Sequence, residues 1–292
     1  MRIGGVPEHF NLPWRIAIEE GVFANIGLDL QWADYPGGTG ALNRALRDGE
    51  LDLAVILTEG VVADITNGNP ARILKIHVRT PLNWGVFVNT ASAFKSLDNL
   101  RAARFAVSRM GSGSHLMAYV NALQRGWDAS ALRMVVLQNL DGMRRGLRDG
   151  EADAFMWEKV MTQPHVDSGE LRRVGVVPTP WRGFVLAARS EALDGQSAQI
   201  AAVCKAFNGF VAGFKARPHL AETIAQRYAL PLFDVRQWLA ETEWATENRI
   251  DPAMLENVMD VLQRAGMIAK KLPIAQLVYP PWLDENTQDF PG

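Results

Sequence analysis

ALNRALRDGELDLAVILTEG, residues 41–60, and GMRRGLRDGEADAFMWEK, residues 142–159, decide the fold. Each contains the word LRDGE, at 46–50 and again at 147–151, an offset of 101 residues. In both copies basic residues load the last turn of an amphipathic helix, Arg44 and Arg47 in one, Arg145 and Arg148 in the other, as the helix dipole favours. Gly49 and Gly150 then stand where a left-handed residue ends a helix, and Asp52 and Asp153 lead into apolar strands. LAVIL runs into Thr58-Glu59-Gly60, and AFMW runs into Glu158-Lys159. Helix, stop, strand and polar loop in the same order predict two units built to one plan.

Working outward from the first copy, the β-branched runs MRIGGV, LDLQWADY and LDLAVIL alternate with the helical patterns WRIAIEEGVFANIG and ALNRALRDG. That is βαβαβ, which implies a parallel sheet covered by helices. Around the second copy, GVFVNT, RFAVSR, MVVLQN and ADAFMW alternate with HLMAYVNALQRG and GMRRGLRDG, a second α/β unit. Beyond about residue 190 the apolar spacing of three and four predicts helices in SAQIAAVCKAFNGFVAGFKAR, HLAETIAQRYA, FDVRQWLAETEWATE and PAMLENVMDVLQRAGMIAKK. The tail VYPPWLDENTQDFPG reads as a polar, proline-broken surface strap.

The chain has 292 residues, 48% hydrophobic and 21% charged, with a net charge of −2. This length suits two lobes, and the charge gives no basic field for nucleic acid or an anionic membrane. One cysteine, Cys204, excludes disulfide frameworks, zinc-cysteine clusters and iron-sulfur sites; its helical spacing among Val203, Phe207 and Val211 reads as a buried, inert thiol. No apolar run is long enough to span a membrane, so direct insertion is not expected. MRIGGV already reads as a strand, so the expected location is cytoplasmic, or periplasmic where an export signal has been removed.

Ligands of open parallel sheets bind beyond the carboxyl ends of the strands, so those loops carry the candidate site. The loop after the first strand holds His9, Asn11 and Trp14. PGGTG, at 36–40, opens a helix with Gly38 and Thr39, and Thr58 and Glu59 follow the third strand. In the second unit RMGSGSH supplies Ser112, Gly113, Ser114 and His115, and the strand after the second LRDGE ends in Trp157 and Glu158. The glycine-rich loops either cap their helices or let an anionic or strongly accepting group approach free N–H groups and hydroxyls. Neither completes a Walker or GxGxxG pattern, which leaves nucleotide binding unsupported. Trp84, with Trp14 and Trp157, offers aromatic walls or ordinary packing. Glu59 and Glu158 stand at like places in the two units, as an acid–base pair, as holders of a polar ligand, or as first-turn glutamates favoured by the dipole.

The stretches GGTGAL, LTEG, SRMGSGSHLMAYVNA, WEK, VDSGELRRVG and TPW resemble the nitrate, sulfonate and bicarbonate binding proteins of ABC transporters, on the type II periplasmic-binding-protein fold. The resemblance covers nearly the whole chain. It implies an α/β clamshell of two lobes, each a mostly parallel sheet flanked by helices. Residues 1–84 and 190–292 would form one lobe and 85–189 the other, with hinge strands crossing near 85–89 and 183–189. It implies a small organic, anionic solute (sulfonate, carboxylate or thiamine-precursor-like) held between the lobes by the residues named above, with no cofactor, no metal and no catalytic residue, and an ABC permease as partner. The same fold also serves thiamine-pyrimidine synthase-like and menaquinone-pathway enzymes, which is the alternative; a cysteine-rich iron site cannot be built from Cys204.

Overall fold

The computed structural model describes residues 1–282 of the chain. Two five-stranded sheets organise it. The first contains β1 (Arg2–Gly5), β2 (Gln31–Asp34), β3 (Leu53–Leu57), β4 (Ala71–Val78) and β10 (Phe184–Arg189), in the order β2-β1-β3-β10-β4. The second contains β5 (Asn83–Asn89), β6 (Arg104–Val107), β7 (Arg133–Val136), β8 (Ala154–Glu158) and β9 (Leu171–Pro178), in the order β7-β6-β8-β5-β9. The two orders are one plan, with β6, β7, β8 and β9 in the places of β1, β2, β3 and β4. In each sheet the antiparallel strand is the one reached after the chain has crossed from the other unit: β10 lies between β3 and β4, and β5 between β8 and β9.

The helices are α1 (Leu12–Glu19), α2 (Gly38–Arg47), α3 (Thr58–Thr66), α4 (Gly113–Gln124), α5 (Leu140–Arg148), α6 (Gln163–Asp167), α7 (Ser190–Ala212), α8 (Leu220–Tyr228), α9 (Leu232–Glu241), α10 (Pro252–Arg264) and α11 (Ile274–Leu277). Among the described residues no helix is long and apolar enough to cross a membrane. Unit 1 comprises residues 1–80, 181–228 and 239 onward; unit 2 comprises 81–180 and 229–238. The crossings thus fall at Thr80–Pro81 and Pro180–Trp181, ahead of the expected ones, and GFVLAAR belongs to the sheet of unit 1. Residues 229–238, expected among the C-terminal helices of the first lobe, group with unit 2. Of the expected surface strap only Val278–Trp282 are described, with Val278 bridging to Ile73; the rest lies outside the described residues.

The repeated word does the same structural job twice. Gly49 and Gly150 have φ of +72° and +76°, the left-handed turn that ends α2 and α5. The next two N–H groups fold back on the helix, Glu50 and Leu51 donating to the Ala45 carbonyl, Glu151 and Ala152 to that of Gly146. Asp52 then accepts the backbone N–H of Arg2 at 2.8 Å, and Asp153 accepts that of Arg104 at 2.7 Å, so each carboxylate ties its own strand to the start of the neighbouring parallel strand. A Cβ on either glycine meets nothing within 4 Å, so Gly49→Ala and Gly150→Ala are expected to cost only the left-handed conformation, about 1–2 kcal/mol each. Urea midpoints of the single and double variants check this; unequal costs would break the equivalence of the two copies.

Candidate functional site

In unit 1 the loop after β1 is closed by Asn11, whose amide donates to the Val6 carbonyl at 2.8 Å. His9 is fully buried, its ring 4.7 Å from that of Phe10, and burial pulls its imidazole down to about 3, so it is neutral. Trp14 is not a ligand wall but a core residue. It has no exposed surface, stacks on Phe207 at 3.6 Å with the rings 5° from parallel, and faces Phe23 on its other flank at 5.9 Å. The spacing within α1 that buries Leu12, Pro13, Ile16 and Ala17 also turns Trp14 inward, against α7.

Gly38 opens α2 at φ +67°, and Thr39 lies in its first turn without capping it. A Cβ on Gly60 would come within 2.1 Å of the Thr39 methyl, so glycine at 60 is what lets the α2 and α3 N-termini close on one another. The Thr58 hydroxyl donates to the Arg182 carbonyl at 2.7 Å, and its N–H donates to that of Gly183 at 3.2 Å. Beside it the Trp181 indole N–H donates to Glu59 Oε2 at 2.8 Å. The Thr58-Glu59-Gly60 loop therefore fastens the segment entering β10. Glu59 is 1% exposed, and burial pushes its carboxyl up to about 7 against the opposing pull of the Trp181 N–H.

In unit 2 Ser112 caps α4, its hydroxyl accepting the His115 N–H at 3.3 Å and meeting the Ser114 hydroxyl at 3.0 Å. Ser114 in turn accepts the N–H of Ser108 at 3.0 Å. The capping reading thus holds for this loop, with Gly113 as the first residue of the helix. His115 Nδ1 accepts the Gly111 N–H at 3.1 Å; in the neutral ring, which burial favours, the proton is on Nε2 and makes the half-buried side chain a donor. Trp157 is partly buried against the cluster of Phe87, Met143, Leu147 and Phe155 that forms this unit's core. Glu158 points to the opposite face of β8, directly across from Trp84 on β5. Its Oε2 accepts the Met161 N–H at 2.7 Å, and burial pushes its carboxyl up to about 7. The buried Trp84 Nε1 has no partner among the described residues.

Residues 84–177 match the family described as Ca3427-like PBP. The solved structure of the conserved Candida albicans CA3427 gene product, which defines a family with the generic periplasmic binding protein fold, is similar with a TM-score of 0.87 and 26% identity, covering 100% of this chain and 98% of that one. The fold is that of the periplasmic binding proteins. Within that fold the alkanesulfonate-binding protein SsuA from Xanthomonas axonopodis pv. citri, bound to MOPS, has a TM-score of 0.79 at 16% identity, covering 97% of each chain. The periplasmic aliphatic sulphonate binding protein SsuA from Escherichia coli reaches 0.76 at 18% identity, over 100% of this chain and 96% of that one. No curated protein matches the chain.

The periplasmic-binding-protein fold also holds a polar cluster that reading the strand ends missed. Lys75 and His77 on β4 are fully buried; Lys75 Nζ donates to the Ala245 carbonyl at 3.1 Å and bonds Asn208, and His77 Nε2 lies 3.1 Å from the Phe10 carbonyl. Burial holds Lys75 down at about 8 and His77 at about 3, and pushes the neighbouring Cys204 thiol up to about 12. The signal was present in ARILKIHV, where Lys75 and His77, two residues apart, fall on one face of the strand and Arg72 on the other.

Proposed function

We propose that the chain is a non-catalytic binding protein for a small organic anion of the sulfonate or carboxylate kind. The observation that carries this reading is the repeated placement of helix N-termini and polar side chains at strand ends: Gly38, Thr39 and Glu59 in unit 1, Ser112, His115 and Glu158 in unit 2. Likeness to two sulfonate-binding proteins supports the ligand class. An aromatic neighbour such as Trp84 suits the organic remainder.

Native mass spectrometry of the purified protein tests the reading by the mass of any small molecule carried with it. In thermal melts, His115→Ala is expected to abolish stabilisation by such a ligand while leaving the unliganded melting temperature within a few degrees, because a half-buried histidine in the first turn of α4 contributes little to the core. A large loss without ligand would place His115 in the structural framework instead. An enzyme is the second reading, favoured by two buried carboxyls poised near neutrality; turnover that Glu59→Gln eliminates is its test. Cell fractionation decides between the expected cytoplasmic location and service to a permease.

A further inference from the structure

The carboxyl of Glu59 has one oxygen in use and one to spare. Oε2 accepts the Trp181 indole N–H, whereas Oε1 is buried and has no partner among the described residues. A buried acceptor left unpaired is costly, and the cost falls when that oxygen carries a proton and has an acceptor to give it to. Because Trp181 donates to Oε2, the proton belongs on Oε1, which then becomes an O–H donor in the first turn of α3, beside the Thr39–Gly60 contact. We propose that Glu59 is a proton-bearing donor that hydrogen-bonds the ligand's anionic headgroup through Oε1, so that anion binding and proton uptake occur together. This rests on the reading of the chain as a small-anion binder and names what that anion must be: an acceptor without N–H groups, such as a sulfonate. Ionised, the same carboxylate would repel it.

The charged and titratable groups on the elements packed against α3 do not set this protonation. They are Arg44 and Arg47 on α2, with Arg47 paired to Asp64 of α3 at 2.7 Å; Glu256, Asp260 and Arg264 on α10; Arg72, Lys75 and His77 on β4; and Arg189 on β10, paired to Asp52 at 2.9 Å. At the crossing, Arg182 donates to the Arg79 carbonyl at 3.0 Å. β3 and α11 bring no titratable side chain. Burial dominates the shift, opposed by the Trp181 and Glu59 N–H groups. Glu158, at the like place in unit 2, is also pushed up to about 7 by burial, but its Oε2 is met by the Met161 N–H of its own turn.

The test is calorimetric titration of the full chain with sodium butanesulfonate and with butylammonium chloride, in two sulfonate-free buffers of different ionisation enthalpy. Butanesulfonate is expected to bind with uptake of close to one proton at about pH 8, and its affinity to fall about tenfold per pH unit above about pH 7. Glu59→Gln keeps a neutral N–H donor, so its affinity should stay within about threefold from about pH 6 to 9 and exceed wild type about a hundredfold at the upper end. Butanesulfonate binding without proton uptake, or preferential binding of butylammonium that Glu59→Gln loses, would overturn the inference and leave small-molecule binding standing. Failure of both probes to bind at any pH would overturn the anion-binding reading with it.

Discussion

Trp14→Ala is expected to destabilise the folded chain by about 3–5 kcal/mol, the cost of deleting a large aromatic side chain from a packed core. Trp14 lies between Phe207 and Phe23 with His77 at 6.3 Å, so its removal leaves a cavity whose walls belong to α7, β4 and the turn after α1 and do not collapse freely. Its indole N–H is buried without a partner among the described residues, so this polar group adds nothing in return for its burial. Trp14→Phe, which keeps the ring stack and deletes the N–H, is therefore expected to recover more than half of the loss. Urea denaturation at a single pH measures both variants. A loss below about 1 kcal/mol for Trp14→Ala would return Trp14 to the ligand-facing loop and sink the core assignment.

The repeated word made the fold legible because it carries three local signals at once: a basic helix end, a glycine at positive φ and an aspartate that caps the neighbouring strand. Such signals are satisfied within a few residues or by the adjacent strand, so sequence exposes them. β4 and β9 went unread because Lys75 and His77 interrupt the apolar run of one, and Arg172 and Arg173 that of the other. Their burial depends on partners far along the chain, such as Asn208 and Ala245 for Lys75. The site divides in the same way. Capping by Ser112 was readable from GSGSH. The difference between Glu59 and Glu158 was not, since one carboxyl is met by Trp181, 122 residues away, and the other by its own turn. Nor does amphipathic spacing reveal which core a helix joins, and residues 229–238, expected with the first lobe, group with unit 2.

Glu59→Gln is expected to change how folding stability varies between about pH 4.5 and 7. Glu59 and Glu158 are raised from 4.5 to about 7 in the folded state, so between those values the native chain holds protons that the unfolded chain has released. Stability from that source is present at low pH and lost as pH rises, about 3 kcal/mol per group. His9 and His77 work in the opposite sense. Lowered from 6.5 to about 3, they stay neutral in the native chain while the unfolded chain takes up protons, so their contribution is lost as pH falls below 6.5. Where the two windows overlap, the carboxyls and the imidazoles, His115 among them, act in opposite senses. Glu59→Gln removes one carboxyl, so the stability difference between variant and wild type changes by about 1.4 kcal/mol per pH unit in the variant's favour toward neutrality. By about pH 8 it should exceed wild type by about 3 kcal/mol, the full cost of keeping an ionised Glu59 out of water. Urea denaturation of both proteins across this range reads the two curves directly. Parallel curves would mean that Glu59 ionises as it does in the unfolded chain, and the proton-bearing site would lose its physical basis.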